Sequence, residues 1–106
     1  MEKFQVRQGD VYVIADGDVS IDDLPQQKLD NGRCILAYGE VTGHAHAITG
    51  AATMYGESVG EGGILIVDED GILRHEEHDP IEIPRGKYRV IIKREYKRGR
   101  IERVID

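Results

Sequence analysis

The segment Ile64–Arg74, ILIVDEDGILR, is the strongest indicator of fold in this chain of 106 residues. It begins with a continuous run of aliphatic side chains, which is typical of a buried strand. Asp70-Gly71 follows, and this dipeptide favours a tight hairpin turn because both of its positions tolerate positive φ. We therefore predict a strand at 64–67 and a returning strand at 72–76 that pairs with it.

Short apolar runs separated by Gly, Pro and Asp recur along the whole chain. Ile and Val dominate these runs, Gly occurs 13 times, and no stretch of useful length shows the period of an amphipathic helix. Further strands are expected at 5–14 with a break at Gly9-Asp10, and at 34–38, 44–48, 52–55, 81–83, 87–96 and 101–105. About seven to nine short strands predict an all-β fold, either a small single-domain β-barrel or a β-sandwich.

The predicted domain spans residues 1–106, with a long loop at about 16–33 and a basic strand region at 85–106. Cys34 is the only cysteine, and its apolar neighbours predict a buried core residue rather than a nucleophile. The start of the chain, MEKFQ, lacks the apolar stretch of a signal peptide, and no apolar run approaches the roughly 20 residues of a membrane-spanning helix. We expect a soluble cytoplasmic protein without membrane association.

The net charge of -6 conceals a strong asymmetry along the chain. Residues 1–84 contain 5 Lys/Arg and 17 Asp/Glu, whereas residues 85–106 contain 9 Lys/Arg and 3 Asp/Glu. The basic end can pair with the acidic body of its own chain or with that of a neighbour. The second arrangement predicts a non-enzymatic binding or assembly module that associates as a homo-oligomer or with a partner. Nucleotide or nucleic-acid binding through Arg85 to Arg103 is a weaker alternative, since charged runs are usually solvated surface.

All four histidines lie in two tight pairs, in the segments 44–46 (HAH) and 75–78 (HEEH). Alternate residues of a strand share one side, so His44 and His46 present two imidazoles at a spacing that suits one ion. The second pair shares a face only if the chain turns between its members. The sequence predicts one divalent metal site, or a small-molecule site, formed by His44, His46 and one or both of His75 and His78.

The residue types at this predicted site leave the metal and the reaction open. Three imidazoles and a carboxylate suit iron, manganese, nickel or zinc, and three imidazoles with one water are typical of catalytic zinc. The simplest reaction is metal-assisted hydrolysis with Glu76 or Glu77 as the base, and Glu40 is a further candidate carboxylate. A metal-free alternative uses two histidines as acid and base on a phosphodiester, but the acidic residues of segment 75–78 favour a cation.

Two resemblances follow from these motifs. Gly39, the segment 44–46 and the turn 84–86 (PRG) resemble the cupin pattern, which implies a jelly-roll barrel with histidine metal ligands. The chain departs from that pattern because its last histidine precedes the turn. On the segments 36–46 (LAYGEVTGHAH), 75–78, and 84–88 (PRGKY) leading into 93–96 (KREY), the chain resembles more specifically a group of small uncharacterised bacterial and phage proteins. That resemblance implies that these segments belong together, and it implies no activity.

Overall fold

The computed structural model describes residues 4–39, 43–58 and 60–93. These residues form nine strands and no helix, and hence no helix that could cross a membrane. The strands in chain order are β1 (Gln5–Gln8), β2 (Val11–Ala15), β3 (Cys34–Tyr38), β4 (Ala45–Thr49), β5 (Ala52–Tyr55), β6 (Gly63–Val67), β7 (Gly71–His75), β8 (His78–Ile83) and β9 (Gly86–Ile92). The prediction of an all-β fold is confirmed.

The strands form two antiparallel sheets that share one hydrophobic core. The first sheet has the order β1-β2-β9-β6-β5 and the second has the order β3-β4-β7-β8. Leu36 and Ile48 of the second sheet are fully buried, as is Leu65 of the first, and all three belong to one core cluster. Because the two sheets do not join edge to edge into one closed sheet, the fold is a sandwich, and the barrel alternative is not observed.

The predicted hairpin between β6 and β7 is wrong. β6 pairs with β5 and β9, whereas β7 pairs with β4 and β8, so the turn before Gly71 carries the chain from one sheet to the other. Gly71 serves close packing rather than a positive φ, because a Cβ there would lie 2.7 Å from Ile48 Cγ2 and 3.3 Å from Thr49 O. The Asp70-Gly71 signal therefore marked a real turn but not the partner strand.

The remaining predicted strands differ from the observed ones mainly at their ends. Predicted strands 34–38 and 52–55 match β3 and β5, and the predicted strand 5–14 is divided at Gly9-Asp10 into β1 and β2. β9 ends at Ile92, and the rest of predicted strand 87–96 beyond Lys93, together with 101–105, lies outside the described residues. The segment 16–33 contains only isolated bridges, one of which joins Gln26 to Tyr55 of β5.

Candidate metal centre

The two histidine pairs come together at one end of the sandwich. His46 lies in β4 and His44 immediately precedes that strand, whereas His75 ends β7 and His78 begins β8. The imidazole centroids are 4.2 Å apart for His46 and His75, 4.8 Å for His75 and His78, 5.7 Å for His46 and His78, and 5.9 Å for His44 and His75. All four predicted metal ligands therefore belong to one cluster, which we call the histidine cluster.

A tight turn and a β-bulge place the second pair in this cluster. His75 and His78 are direct partners in the antiparallel pairing of β7 and β8, with residues 76–77 forming the turn between them. The register shifts between Leu73 and His75, which is the signature of a bulge. Bulges bend a strand and redirect side chains, and they are frequent beside functional sites. The turn that the sequence analysis required for His75 and His78 to share a face is thus present.

The histidine cluster borders a cleft of about 350 Å³. Its lining consists of Gly9, Asp10, Gly39, Glu77 and the four histidines. A Cβ at Gly9 would lie 3.0 Å from His78 Nε2 and 3.2 Å from His46 Cε1, and one at Gly39 would lie 3.1 Å from His75 Nε2. The two glycines therefore leave the space that the imidazoles occupy.

His46 is the most buried member of the cluster and is held by a residue that sequence reasoning missed. It is 6% exposed, and its Nδ1 lies 2.9 Å from Oε1 of Gln8, which is 3% exposed. Gln8 Nε2 donates to the carbonyl oxygens of Leu73 at 3.2 Å and Asp79 at 2.9 Å. A sequence signal did exist, because Gln8 shares the inward-facing side of β1 with Val6, where an apolar residue is the norm.

His75 and His44 have different surroundings. The Glu77 backbone N–H donates to His75 Nδ1 at 3.0 Å. Burial lowers the pKa of His75, as does charge on neighbouring His78, so the ring favours the neutral form that a metal requires. Glu77 Oε2 lies 3.0 Å from His44 Nδ1, although this buried ring nitrogen has no aligned hydrogen bond within the described residues.

The two glutamates predicted as bases occupy different places. Glu77 lines the cleft beside the histidine cluster, whereas Glu76 turns to the backbone and accepts a hydrogen bond from Ala45 N at 3.0 Å. Hydrogen bonds from its own N–H and from Ala45 N–H lower the pKa of Glu76, which keeps it ionised. A catalytic role for either residue stays a prediction, and Glu40 lies outside the described residues.

The observed arrangement does not yet surround a single ion. Within residues 4–39, 43–58 and 60–93, no three His, Cys, Asp or Glu side chains are arranged to hold one metal. The rings instead contact one another, and those of His46 and His75 are tilted by only 36°. The side-chain types are those of a metal site, but the observed ring positions are not those of a bound ion.

The partner predictions concern a region that is only partly described. The basic region 85–106 extends beyond Lys93, and residues 94–106 lie outside the described residues. Homo-oligomer formation and nucleic-acid binding through this region therefore stay predictions. The cytoplasmic compartment also stays a prediction. Within the described part of this region, Arg89 contacts Asp16 of its own chain, with 2.9 Å between the guanidinium and the carboxylate.

The fold and the cleft together define a class, a small antiparallel β-sandwich with a histidine cluster at one end. Residues 7–93 match the protein family described as a domain of unknown function (DUF8820), and the chain belongs to that family. This agrees with the resemblance to small uncharacterised proteins and gives no support to the resemblance to cupins. Comparison with curated proteins gave no match, nor did comparison with solved structures.

Proposed function

We propose that this protein binds a divalent transition-metal ion in the cleft, through His44, His46 and one or both of His75 and His78. The observation that supports this most directly is the convergence of all four imidazoles of the chain on one cleft. Imidazole is the commonest protein ligand for such ions, and zinc, iron, manganese and nickel all suit this donor set. Neighbouring imidazoles would repel one another if protonated, so a cation shared by neutral rings is the occupant that their proximity favours.

The charges around the cleft favour a cation over an anion. Asp10 and Glu77 line the cleft, and Glu76 lies on the turn beside it. The chain as a whole carries a net charge of -6. A cleft lined by one sign of charge raises the local concentration of the opposite ion. The same surroundings disfavour the metal-free alternative, because a phosphodiester would meet carboxylates there.

Glu77 and Gln8 supply a second argument for metal binding. Histidines that bind metals usually have their other ring nitrogen against a carboxylate or another acceptor, which fixes the ring. His46 Nδ1 faces Gln8 Oε1 at 2.9 Å, and His44 Nδ1 faces Glu77 Oε2 at 3.0 Å. The contact with Gln8 supports Nε2 as the donor atom of His46, and the Glu77 carboxylate lies on the Nδ1 side of His44.

The reaction that such a site supports best is hydrolysis. A bound ion with an open coordination position supplies a water molecule that is activated near neutral pH. Of the two predicted bases, Glu77 lines the cleft and is the one placed to accept a proton there, whereas Glu76 is engaged with the Ala45 backbone. Glu77 is therefore the first residue to change once the metal is known and a substrate screen is in place.

The metal content of the untagged protein, purified without chelator and measured by elemental mass spectrometry, tests the proposal. We expect about one ion per chain or per symmetric assembly, and none in the His44→Ala/His46→Ala double variant. Asp68→Asn/Glu69→Gln is the matched control, because it removes two exposed carboxylates from a turn outside the cleft lining. Metal-free wild-type protein that takes up no ion on titration would overturn the proposal.

A further inference from the structure

We infer that Gln8 is a positioning residue, which holds His46 with its proton on Nδ1 and so makes Nε2 the atom that binds a ligand. The inference rests on the proposed function for the role of Nε2, and on hydrogen bonds of the protein itself for the position of the proton. Gln8 lies at the end of β1, in the five-stranded sheet, whereas His46 lies in the four-stranded sheet. The contact therefore spans the two layers at the edge of the cleft.

The orientation of the Gln8 amide follows from its two backbone partners. Its nitrogen lies 3.2 Å from Leu73 O and 2.9 Å from Asp79 O, and a carbonyl oxygen can only accept a hydrogen bond. Exchanging the amide oxygen and nitrogen would set an oxygen against two oxygens. The NH₂ group therefore faces the carbonyls, and Oε1 faces His46 Nδ1 at 2.9 Å. Oε1 is an acceptor, so His46 Nδ1 carries the proton and the lone pair of the neutral ring is on Nε2.

Burial makes this arrangement costly to change. Gln8 and His46 are the two buried polar residues of the described chain, and a buried polar group that loses its hydrogen-bond partner destabilises the folded state. The bulge helps to explain why the Gln8 amide is bound here. The hydrogen-bonded ladder between β7 and β8 is interrupted at the bulge, and Pro80 has no N–H to donate. Gln8 supplies two N–H donors beside this interruption. The two backbone hydrogen bonds therefore fix the amide independently of His46. Because the amide is fixed, it determines which ring nitrogen of His46 carries the proton.

The neighbouring ring has the opposite arrangement. His75 Nδ1 accepts the backbone N–H of Glu77, so a neutral His75 carries its proton on Nε2. The ring centroids of His46 and His75 are only 4.2 Å apart. The structure thus sets a lone pair and an N–H donor at the Nε2 positions of adjacent rings. With these proton positions His46 would offer Nε2 to a metal, and His75 would offer an N–H donor beside it.

Nitrogen NMR of metal-free protein with ¹⁵N-labelled histidine tests the position of the proton. The measurement is made at about pH 8, above the ordinary imidazole pKa of about 6.5, because the protonated and unprotonated ring nitrogens of a neutral imidazole give distinct signals. We expect His46 to be protonated on Nδ1 in the wild-type protein, with its signals assigned by their loss in His46→Gln. An unprotonated Nδ1 on His46 in the wild-type protein would overturn the inference without any Gln8 variant.

The variant Gln8→Met tests the role of Gln8 itself, with Gln5→Met as the matched control on the exposed side of the same strand. We expect Gln8→Met to shift the proton of His46 toward Nε2 and to weaken Zn²⁺ binding about 10- to 100-fold, as is usual for the loss of an outer partner of a ligand. Gln5→Met should change neither. Unchanged tautomer and Zn²⁺ affinity in a folded Gln8→Met variant would refute the role of Gln8 while the proposed metal function stands. Wild-type protein that takes up none of Zn²⁺, Fe²⁺, Mn²⁺ and Ni²⁺ would refute that function, and the NMR result alone would then decide the role of Gln8.

Discussion

The hydrophobic interior and the histidine cluster are built from the same strands. β4 contributes Ile48 to the core and His46 to the cleft, and β7 contributes Leu73 to the core and His75 to the cleft. Residues two apart in a strand share one face. The inward-facing side of each strand therefore changes from apolar core to polar cleft over two residues. The site is therefore a continuation of the core, made of polar side chains whose orientation depends on individual hydrogen bonds.

The largest expected difference between the two regions is in their contribution to stability. Leu73 is fully buried, and Leu73→Ala should lower the free energy of unfolding by about 2–5 kcal/mol, through lost burial and the cavity left behind. His75→Ala, two residues along the same strand, should cost less than about 1 kcal/mol because His75 is only partly buried. Urea unfolding followed by circular dichroism measures both.

The exposed Leu29→Ala is the control for loss of a leucine side chain as such. Leu29 is 55% exposed, and its replacement should leave the free energy of unfolding within about 0.5 kcal/mol of the wild-type value. A His75→Ala variant as unstable as Leu73→Ala would show that the histidine cluster is part of the stabilising core, and the contrast between the two regions would fail.

A second test concerns Cys34, a titratable group of the hydrophobic core. Cys34 is buried, and burial raises the pKa of its thiol from 9.0 to about 12. The unfolded thiol ionises first, so its contribution to stability should be complete below pH 9.0 and should be lost as the pH rises toward about 12. Urea unfolding at several alkaline pH values should show this decline, and Cys34→Ala, although less stable overall, should show less of it. A native thiol that reacts rapidly with a thiol reagent at neutral pH would contradict the assignment.

A third test separates backbone strain from the space that the histidine cluster requires. Gly9 has φ of +59° and Gly32 has φ of +79°, so alanine at either position should cost about 1–2 kcal/mol in backbone strain. A Cβ at Gly9 would also lie 3.0 Å from His78 Nε2, whereas a Cβ at Gly32 would meet nothing within 4 Å. We expect both variants to be destabilised, Gly9→Ala somewhat more, and only Gly9→Ala to bind Zn²⁺ more weakly in a calorimetric titration. Equal Zn²⁺ affinity in the two variants would place the metal elsewhere.

The sequence predicted strands better than it predicted partners. The bounds of β3 and β5 follow from apolar runs with clear ends, because strand formation there depends on local residues. The partner of β6 was predicted wrongly because β6 and β7 each have neighbours on both sides, and the choice depends on packing between distant segments. The same limit explains Gln8, whose backbone partners Leu73 and Asp79 are 65 and 71 residues away along the chain.

The histidines show that local patterns can predict which side chains come together. Two pairs at short spacing predicted one shared site, and the structure brings all four rings into one cluster. Their individual roles could not be predicted, because the proton on each ring depends on neighbours from other strands. The turn between His75 and His78 was also hidden, since Glu76 and Glu77 lack the Gly, Asn or Asp that usually announces a hairpin turn.

The smallest expected effect comes from comparing two buried hydrogen bonds. One stabilises the fold, and the other orients a histidine of the cleft. Tyr88 is buried in the core, and its hydroxyl donates to the Pro84 carbonyl within the turn from β8 to β9. Tyr88→Phe removes that bond and should lower the free energy of unfolding by about 0.5–1.5 kcal/mol. It should leave the His46 tautomer and the Zn²⁺ affinity unchanged, because neither Tyr88 nor Pro84 lines the cleft. If Tyr88→Phe weakened Zn²⁺ binding as much as Gln8→Met, affinity would follow overall stability, and Gln8 would be a structural residue like any other. Unequal effects from these two buried hydrogen-bonding side chains would locate control of the site in the contact between Gln8 and His46.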